Sequence, residues 1–236
     1  MAFIFDLDGT LINSTEIYKI IQKELYEKFN LNPSKEKEAE VEEIVFKILH
    51  GENRKNLEVK LMWVIYKKLG LSFIQRIKAL IMAGKIYKKE KEKIKLYDGV
   101  EDLFEFLDKN SFKYAIATTS SEREVDDRLV KFPDFYKKLK GKIVSRSSVK
   151  KMKPAPDSLY LACELMGGIN PENTVMIGDM NTDIMMGKAV GAVTIAVLTG
   201  IFTKERFLEL EPDFILESVA DIPKLFDQIK EKIEKN

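Results

Sequence analysis

The sequence predicts an α/β protein: a doubly wound parallel sheet interrupted near its start by an inserted helical domain. Three features carry the expectation. Ala2-Phe3-Ile4-Phe5 is a small or apolar run with no polar face, as a strand covered on both sides requires. From Ile17 to Ile81 apolar residues recur at helical spacing with no strand pattern among them. From Asp98 onward short apolar strands alternate with helices, the pattern of repeated βα units.

Taken in order, the helical stretch opens with Ile17, Ile20, Ile21 and Leu25 and breaks at Asn32-Pro33. Val41, Ile44, Val45, Ile48 and Leu49 form a second set that ends at Gly51. Leu57, Leu61, Val64, Ile65 and Leu69 form a third, closed by Gly70. Ser72 with Gln75 reads as a capping box opening a fourth at Phe73, Ile77, Leu80 and Ile81. Four such helices with short breaks predict a small bundle, and the alternating Lys/Glu run from Lys85 to Lys95 reads as a solvated helix end leading to a hinge. Trp63, Tyr66 and Phe73 lie at helical spacings and are assigned to the core of this bundle.

After the insertion, Val100, Leu103, Phe104 and Leu107 mark a helix, and Tyr114 to Ala117 a buried strand. Ser121 with Glu124 is a second capping box. Lys142 to Val144 is a short strand; a helix after Pro156 carries Leu159, Ala162, Cys163 and Met166 on one face and stops at Gly167-Gly168. Thr174 to Ile177 is a strand, Asn181 to Val190 a helix, Ala192 to Val197 a strand, and Asp213 to Ile215 the last strand before a helix from Ile222. The expected division is 1–14 with 96–236 as the α/β core and 15–95 as the helical domain.

The 236 residues suffice for a core domain with a smaller partner. Basic and acidic residues number 39 and 38, so no basic excess points to nucleic acid. A single cysteine, Cys163, excludes an internal disulfide and a multi-cysteine metal site, and it reads as core. No apolar run approaches the roughly 20 residues that span a bilayer, and no signal-peptide pattern stands at the start, so the expected setting is cytoplasmic with no membrane partner. Abundant Lys and Glu with sparse Gln hint at a thermophilic source.

In a doubly wound sheet, ligands bind beyond the carboxyl ends of the strands. The first strand delivers Asp6 and Asp8, and residues two apart share a face. Two close carboxylates resist ionising together unless a cation lies between them or one keeps a proton. Either option is chemistry: a hard Mg²⁺ site of oxygen ligands, or a nucleophile beside a general acid. A calcium loop starting at Asp6 fails, because its twelfth position is Ile17 rather than Glu. The Tyr114 strand delivers Thr118 and Thr119 just before a helix N-terminus, an anion site unless these residues merely cap the helix, which Ser121 can do alone. Lys153 is flanked by Pro154 and, beyond Ala155, Pro156, which fix the backbone beside it. The Thr174 strand delivers Asp179, with Asp183 one helical turn later on the same face.

These stretches resemble the haloacid dehalogenase-like superfamily. The resemblance rests on Asp6-Leu7-Asp8-Gly9-Thr10, Ala117-Thr118-Thr119, Lys153-Pro154-Ala155-Pro156-Asp157, Gly178-Asp179-Met180-Asn181-Thr182-Asp183 and the run on to Ala192. It implies a Rossmann-like core with an inserted helical cap of the C1 kind, close to the phosphoglycolate phosphatase and β-phosphoglucomutase branch. It further implies a Mg²⁺-dependent hydrolase acting on a small phosphate ester. In that reading Asp6 is the nucleophile, Asp8 the acid and base, and Thr118, Thr119 and Lys153 bind the phosphoryl group. The metal is held by Asp6, the Asp8 main chain and Asp179, with Asp183 joining through water or orienting its neighbours.

A carboxylic acid at Asp8 favours phosphate esters over the dehalogenases of the same superfamily. The mutase branch carries a cap histidine about ten residues past the second acid; here the residue is Tyr18, which counts against phosphomutase activity. An idle binding protein on the same fold would be expected to have lost an acid, and none of the four is lost. His50, the only histidine, is expected to have a structural or surface role. His50-Gly51-Glu52-Asn53-Arg54 resembles the family's Gly-x-x-Arg cap stretch, in which Arg54 would bind a substrate carboxylate or second phosphate; the alternative is a solvated arginine in a helix–helix turn.

Overall fold

The structure is a computed structural model and describes residues 1–49 and 57–235. In chain order, β1 (Ala2–Phe5) leads into α1 (Thr15–Phe29), α2 (Lys35–Leu49), α3 (Leu57–Lys68) and α4 (Phe73–Glu90). Then follow α5 (Val100–Lys109), β2 (Lys113–Ala117), α6 (Glu122–Leu129), α7 (Pro133–Leu139), β3 (Ile143–Val144) and α8 (Asp157–Leu165). The chain closes with β4 (Thr174–Gly178), α9 (Asn181–Lys188), β5 (Val193–Val197), α10 (Lys204–Leu208), β6 (Phe214–Leu216) and α11 (Phe226–Lys235). Two compact units result: Met1–Asn13 with Lys95–Asn236, and Ser14–Ile94.

The first unit is built on a six-stranded sheet in the order β3-β2-β1-β4-β5-β6, parallel throughout. Both faces are covered. On one, Ile4, Ala115 and Met176 pack with Leu159, Ala162 and Cys163 of α8 and Met186 of α9. On the other, the rings of Phe3 and Phe5, two apart and therefore on one side of the strand, stack at 6.2 Å. Phe5 meets Phe104 of α5 at 5.2 Å, and Phe3 meets Phe112 at 5.8 Å. A sheet buried on both faces needs continuous apolar strands, and β1, β4 and β5 are buried from end to end.

Register positions the loops. Phe5 pairs with Ile116 on one side and Ile177 on the other. The residues just past these three strand positions (Asp6, Ala117 and Gly178, each followed by further polar groups) therefore leave the same edge of the sheet side by side. Strand order reverses between β1 and β4, the point at which such sheets open a crevice.

Two short helices, α7 with 7 residues and α10 with 5, had no expectation in the sequence, because neither spans enough turns to show a period. The final helix starts at Phe226 rather than Ile222; the preceding Val219–Leu225 is a 3₁₀ stretch containing Pro223, which lacks the N–H an α-helix interior needs.

Within the second unit, α1 buries Ile17, Ile21 and Leu25, and it packs against α4. The capping box at Ser72 is present with both of its bonds. The period expected of α4 holds, but the buried face is a different one. Ala79, Ala83 and Ile86 point inward, while Phe73 is 60% exposed and Ile77 and Ile81 also face solvent. Phe73 therefore does not belong to the core to which its spacing assigned it. Small residues on the buried face let the neighbouring helix approach closely, and bulk is left outside. Tyr66 is buried; Trp63 meets Phe73 edge-on at 5.4 Å and carries the Arg76 guanidinium at 4.3 Å over its ring. No helix among the described residues is long and apolar enough to cross a membrane.

Candidate active site

Asp6 continues the pairing of β1, its N–H donating to the Ile177 carbonyl at 2.8 Å, and its side chain is buried. Its Oδ1 accepts from Lys153 Nζ at 2.7 Å, and the same ammonium donates to Asp183 Oδ1 at 2.6 Å. Asp183 sits in the first turn of α9, where its Oδ2 accepts the Met180 N–H at 3.1 Å. Asp179, just past β4, is fully buried; its Oδ1 accepts the Thr10 hydroxyl at 3.3 Å, and its Oδ2 has no hydrogen-bond partner among the described residues. Oxygens of Asp6, Asp179 and Asp183 all lie within 4.8 Å of one another.

Two glycines make room for these carboxylates. A Cβ at Gly178 would stand 2.2 Å from the Asp183 carboxyl, and one at Gly200 would stand 1.7 Å from Asp179 Oδ2. The Gly200 loop is tied down beside it: Thr199 donates its hydroxyl to the Gly9 carbonyl at 2.6 Å, and the Thr199 carbonyl accepts the Tyr97 hydroxyl at 2.7 Å.

The electrostatics follow from composition. Three buried carboxylates around one ammonium leave two negative charges in excess if all are ionised. Burial pushes the Asp6 carboxyl up to about 7; Lys153 opposes this, while Asp183 and Asp8 add to it. Burial also holds Asp179 well above the usual carboxylate range, with the charges of Asp6 and Asp183 acting in the same direction. Burial alone would lower Lys153, but Asp183 and Asp6 outweigh it, so its ammonium is held more firmly than in water. A hard divalent cation fits this donor set: the candidate ligands are oxygens, their excess charge when ionised is two, and one buried oxygen lacks a partner among the described residues.

Asp8 lies in different surroundings. Its Oδ2 accepts from Arg128 Nη1 at 2.5 Å and from the Ser120 hydroxyl at 2.7 Å, and Arg128 Nη1 also donates to Ser120 Oγ at 2.6 Å. Thr118 lies just past β2 and is buried, its hydroxyl accepting the Ser120 N–H at 3.1 Å; Thr119 is half-buried. Ser121 caps α6 through its box with Glu124, so neither threonine is needed for that task. His50 and Arg54, with the stretch around them, lie outside the described residues.

Asp6, Asp179, Asp183 and Lys153 thus gather from three separate segments into one contact cluster, while Asp8 is held by a second group of side chains. The sequence reading missed Arg128, Ser120, Thr10 and Gly200. Arg128 had a usable signal: Val125, Arg128 and Leu129 stand at i, i+3 and i+4, so the arginine shares the buried face of α6. The other three carried none.

Comparison with known proteins extends this geometry. A Bacillus cereus protein named pyrophosphatase PpaX is 28% identical over 223 residues, 93% of either chain. A haloacid dehalogenase family hydrolase (family IA, variant 3) from Entamoeba histolytica superposes with a TM-score of 0.71 over 99% of both chains at 26% identity. A structure titled a predicted phosphoglycolate phosphatase, from Haemophilus somnus, shares the fold at a TM-score of 0.70 and 21% identity, over 95% of this chain and 97% of that one. Residues 3–197 of the 236 match the profile of the haloacid dehalogenase-like hydrolases, and the chain belongs to that family of hydrolases.

Proposed function

We propose that the enzyme hydrolyses a small phosphomonoester through an aspartyl-phosphate on Asp6, with Mg²⁺ as its cofactor. The observation that carries the proposal is the cluster of Asp6, Asp179 and Asp183 with Lys153, which when ionised is two charges short of neutrality and contains a buried oxygen on Asp179 with no partner among the described residues. Asp6, Asp179 and the main-chain carbonyl of Asp8 would hold the ion. Asp183 supports the cluster through Lys153. When bound, the ion supplies positive charge against the phosphoryl oxygens and the ionised Asp6.

The chain's own residues perform the rest. An Asp6 oxygen bonds to phosphorus as the ester P–O bond breaks, and Asp8 gives its proton to the departing alkoxide. Water then attacks the phosphorus of the intermediate, Asp8 takes its proton, and cleavage of the acyl-phosphate P–O bond restores the Asp6 carboxylate. Lys153 and Thr118, with Thr119 beside them, bind the oxygens of the transferring group. The work is mostly positioning and charge stabilisation, as phosphoryl transfer demands. The helical unit Ser14–Ile94 is proposed as the cap that selects the leaving group, with Arg54 as its contact to a substrate anion.

The test is a screen of phosphate esters with Mg²⁺. It includes 2-phosphoglycolate and a hexose phosphate, the latter to detect transfer to sugar. Inorganic pyrophosphate belongs in the panel because the Bacillus cereus relative is named a pyrophosphatase. Release of phosphate together with an acid-stable, hydroxylamine-sensitive phosphoenzyme is the expected result; Asp6→Asn with normal turnover would end the proposal.

A further inference from the structure

The described mechanism gives no work to Arg128, yet it is among the most deeply buried large side chains of the protein, with 2% of its side chain exposed. A guanidinium is charged at every accessible pH, and burying one without a partner is costly. Its partners here are Asp8 Oδ2 and Ser120 Oγ, and the three atoms close a triangle with sides of 2.5, 2.6 and 2.7 Å. The donors and acceptors match: Ser120 accepts from the guanidinium and donates its one proton to the carboxylate.

The triangle joins the loops that follow the paired strands β1 and β2 to the helix α6. Asp8 lies past the end of β1, in an isolated β-bridge to Ile12 that precedes the Gly9-Thr10 turn. Arg128 belongs to α6, whose start is secured by the Ser121–Glu124 box and whose neighbouring residues Val125 and Leu129 are buried. These parts thus hold the Oδ2 oxygen of the Asp8 carboxylate. A carboxyl group passes a proton at one oxygen along a defined direction, so anchoring Oδ2 sets the direction available to Oδ1.

We propose that Arg128, together with Ser120, is a positioning residue that holds the Asp8 carboxyl group in the orientation needed for proton transfer to the leaving group. This rests on the reading of Asp8 as the acid of the reaction. Arg128 acts through Asp8 and needs no contact with substrate.

The experiment compares phenyl phosphate with 4-nitrophenyl phosphate, which differ little in shape and greatly in how much the departing oxygen needs a proton. Arg128→Gln is expected to lower kcat/KM by about 100-fold on phenyl phosphate and by less than about 10-fold on 4-nitrophenyl phosphate, within the span that a positioned acid contributes. Arg128→Lys is expected to recover part of the loss, and Ser120→Ala to show the same selectivity at smaller size. Both serve in place of Arg128→Gln should that variant fail to fold by circular dichroism. Asp8→Asn combined with Arg128→Gln is expected to fall no further than Asp8→Asn alone, since both act at one point. Equal losses on the two esters, or additive losses in the double variant, would overturn the proposal and leave Arg128 a structural tie. If Asp8→Asn itself showed no selectivity between the esters, the acid role of Asp8 would fall, and the role of Arg128 with it.

Discussion

Asp6 and Asp8 are two residues apart, and their surroundings differ in kind. Asp8 meets a built-in cation, the Arg128 guanidinium. Asp6 and Asp183 share one ammonium, that of Lys153, with Asp179 close by, and that cluster would be negative by two with all three carboxyls ionised. The first arrangement meets its counter-charge within the polypeptide; the second is the half of the site that we propose takes in a cation and an ester.

The largest effect that bears on this contrast is loss of the proposed nucleophile. Asp6→Asn is expected to reduce turnover by about 10⁴-fold or more and to abolish phosphoenzyme formation, while circular dichroism stays unchanged. A burst of leaving group in that variant would place the chemistry elsewhere. Next comes the external charge. Chelation of divalent ions, or Asp179→Asn, is expected to cost about 100-fold or more in activity, and the variant is expected to lose the heat of Mg²⁺ binding in calorimetry. If Asp179→Asn bound Mg²⁺ as well as the parent, its unpartnered oxygen would have another explanation.

Lys153→Met sharpens the comparison from the opposite side, because it leaves three buried carboxylates with no ammonium. It is expected to destabilise the metal-free protein by about 3–5 kcal/mol in urea unfolding. Mg²⁺ is expected to restore more of this loss than it adds to the parent.

Proton linkage gives a smaller, graded effect. The Asp6 carboxyl is raised to about 7 in the folded protein against an ordinary value of 3.8. Below that ordinary value both states keep the proton, and no penalty arises. Between the two values the unfolded chain releases a proton that the folded chain retains, so the metal-free protein loses stability as pH rises, with the loss levelling off above 7. Melting temperatures of the parent and Asp6→Asn, measured from pH 4 to 8, should therefore diverge with the parent falling faster; parallel curves would contradict the shift. The smallest change is Gly200→Ala, whose Cβ would press on Asp179 Oδ2. Mg²⁺ affinity is expected to fall by about 10-fold, in the range of altered support to a metal ligand.

The two halves of the site also differ in how far they could be read from sequence. Asp6, Asp8, Thr118, Lys153, Asp179 and Asp183 were all visible because each sits in a short run of recognisable chemistry at the end of a strand or the start of a helix. The strand runs themselves were legible because burial on both faces demands unbroken apolar residues. The exposed face of α4 was not. Periodicity gives the angle between side chains but not which side a neighbour occupies, and here Ala79 and Ala83, rather than the bulky Phe73 and Ile77, face inward. Arg128 was hidden among the charges of α6, where composition alone suggests a solvated helix.

By itself, then, the sequence determined the parallel α/β core, the place of the helical insertion, and the residues whose chemistry suits phosphoryl transfer. These depend on residue type and local spacing, both of which are written along the chain. Only the tertiary structure decided the partners. It set Lys153 between Asp6 and Asp183, left one oxygen of Asp179 unmatched, and gave Asp8 to an arginine 120 positions away. Which charge meets which is settled by the order and register of the strands, and a buried charge takes the counter-charge that packing brings within reach.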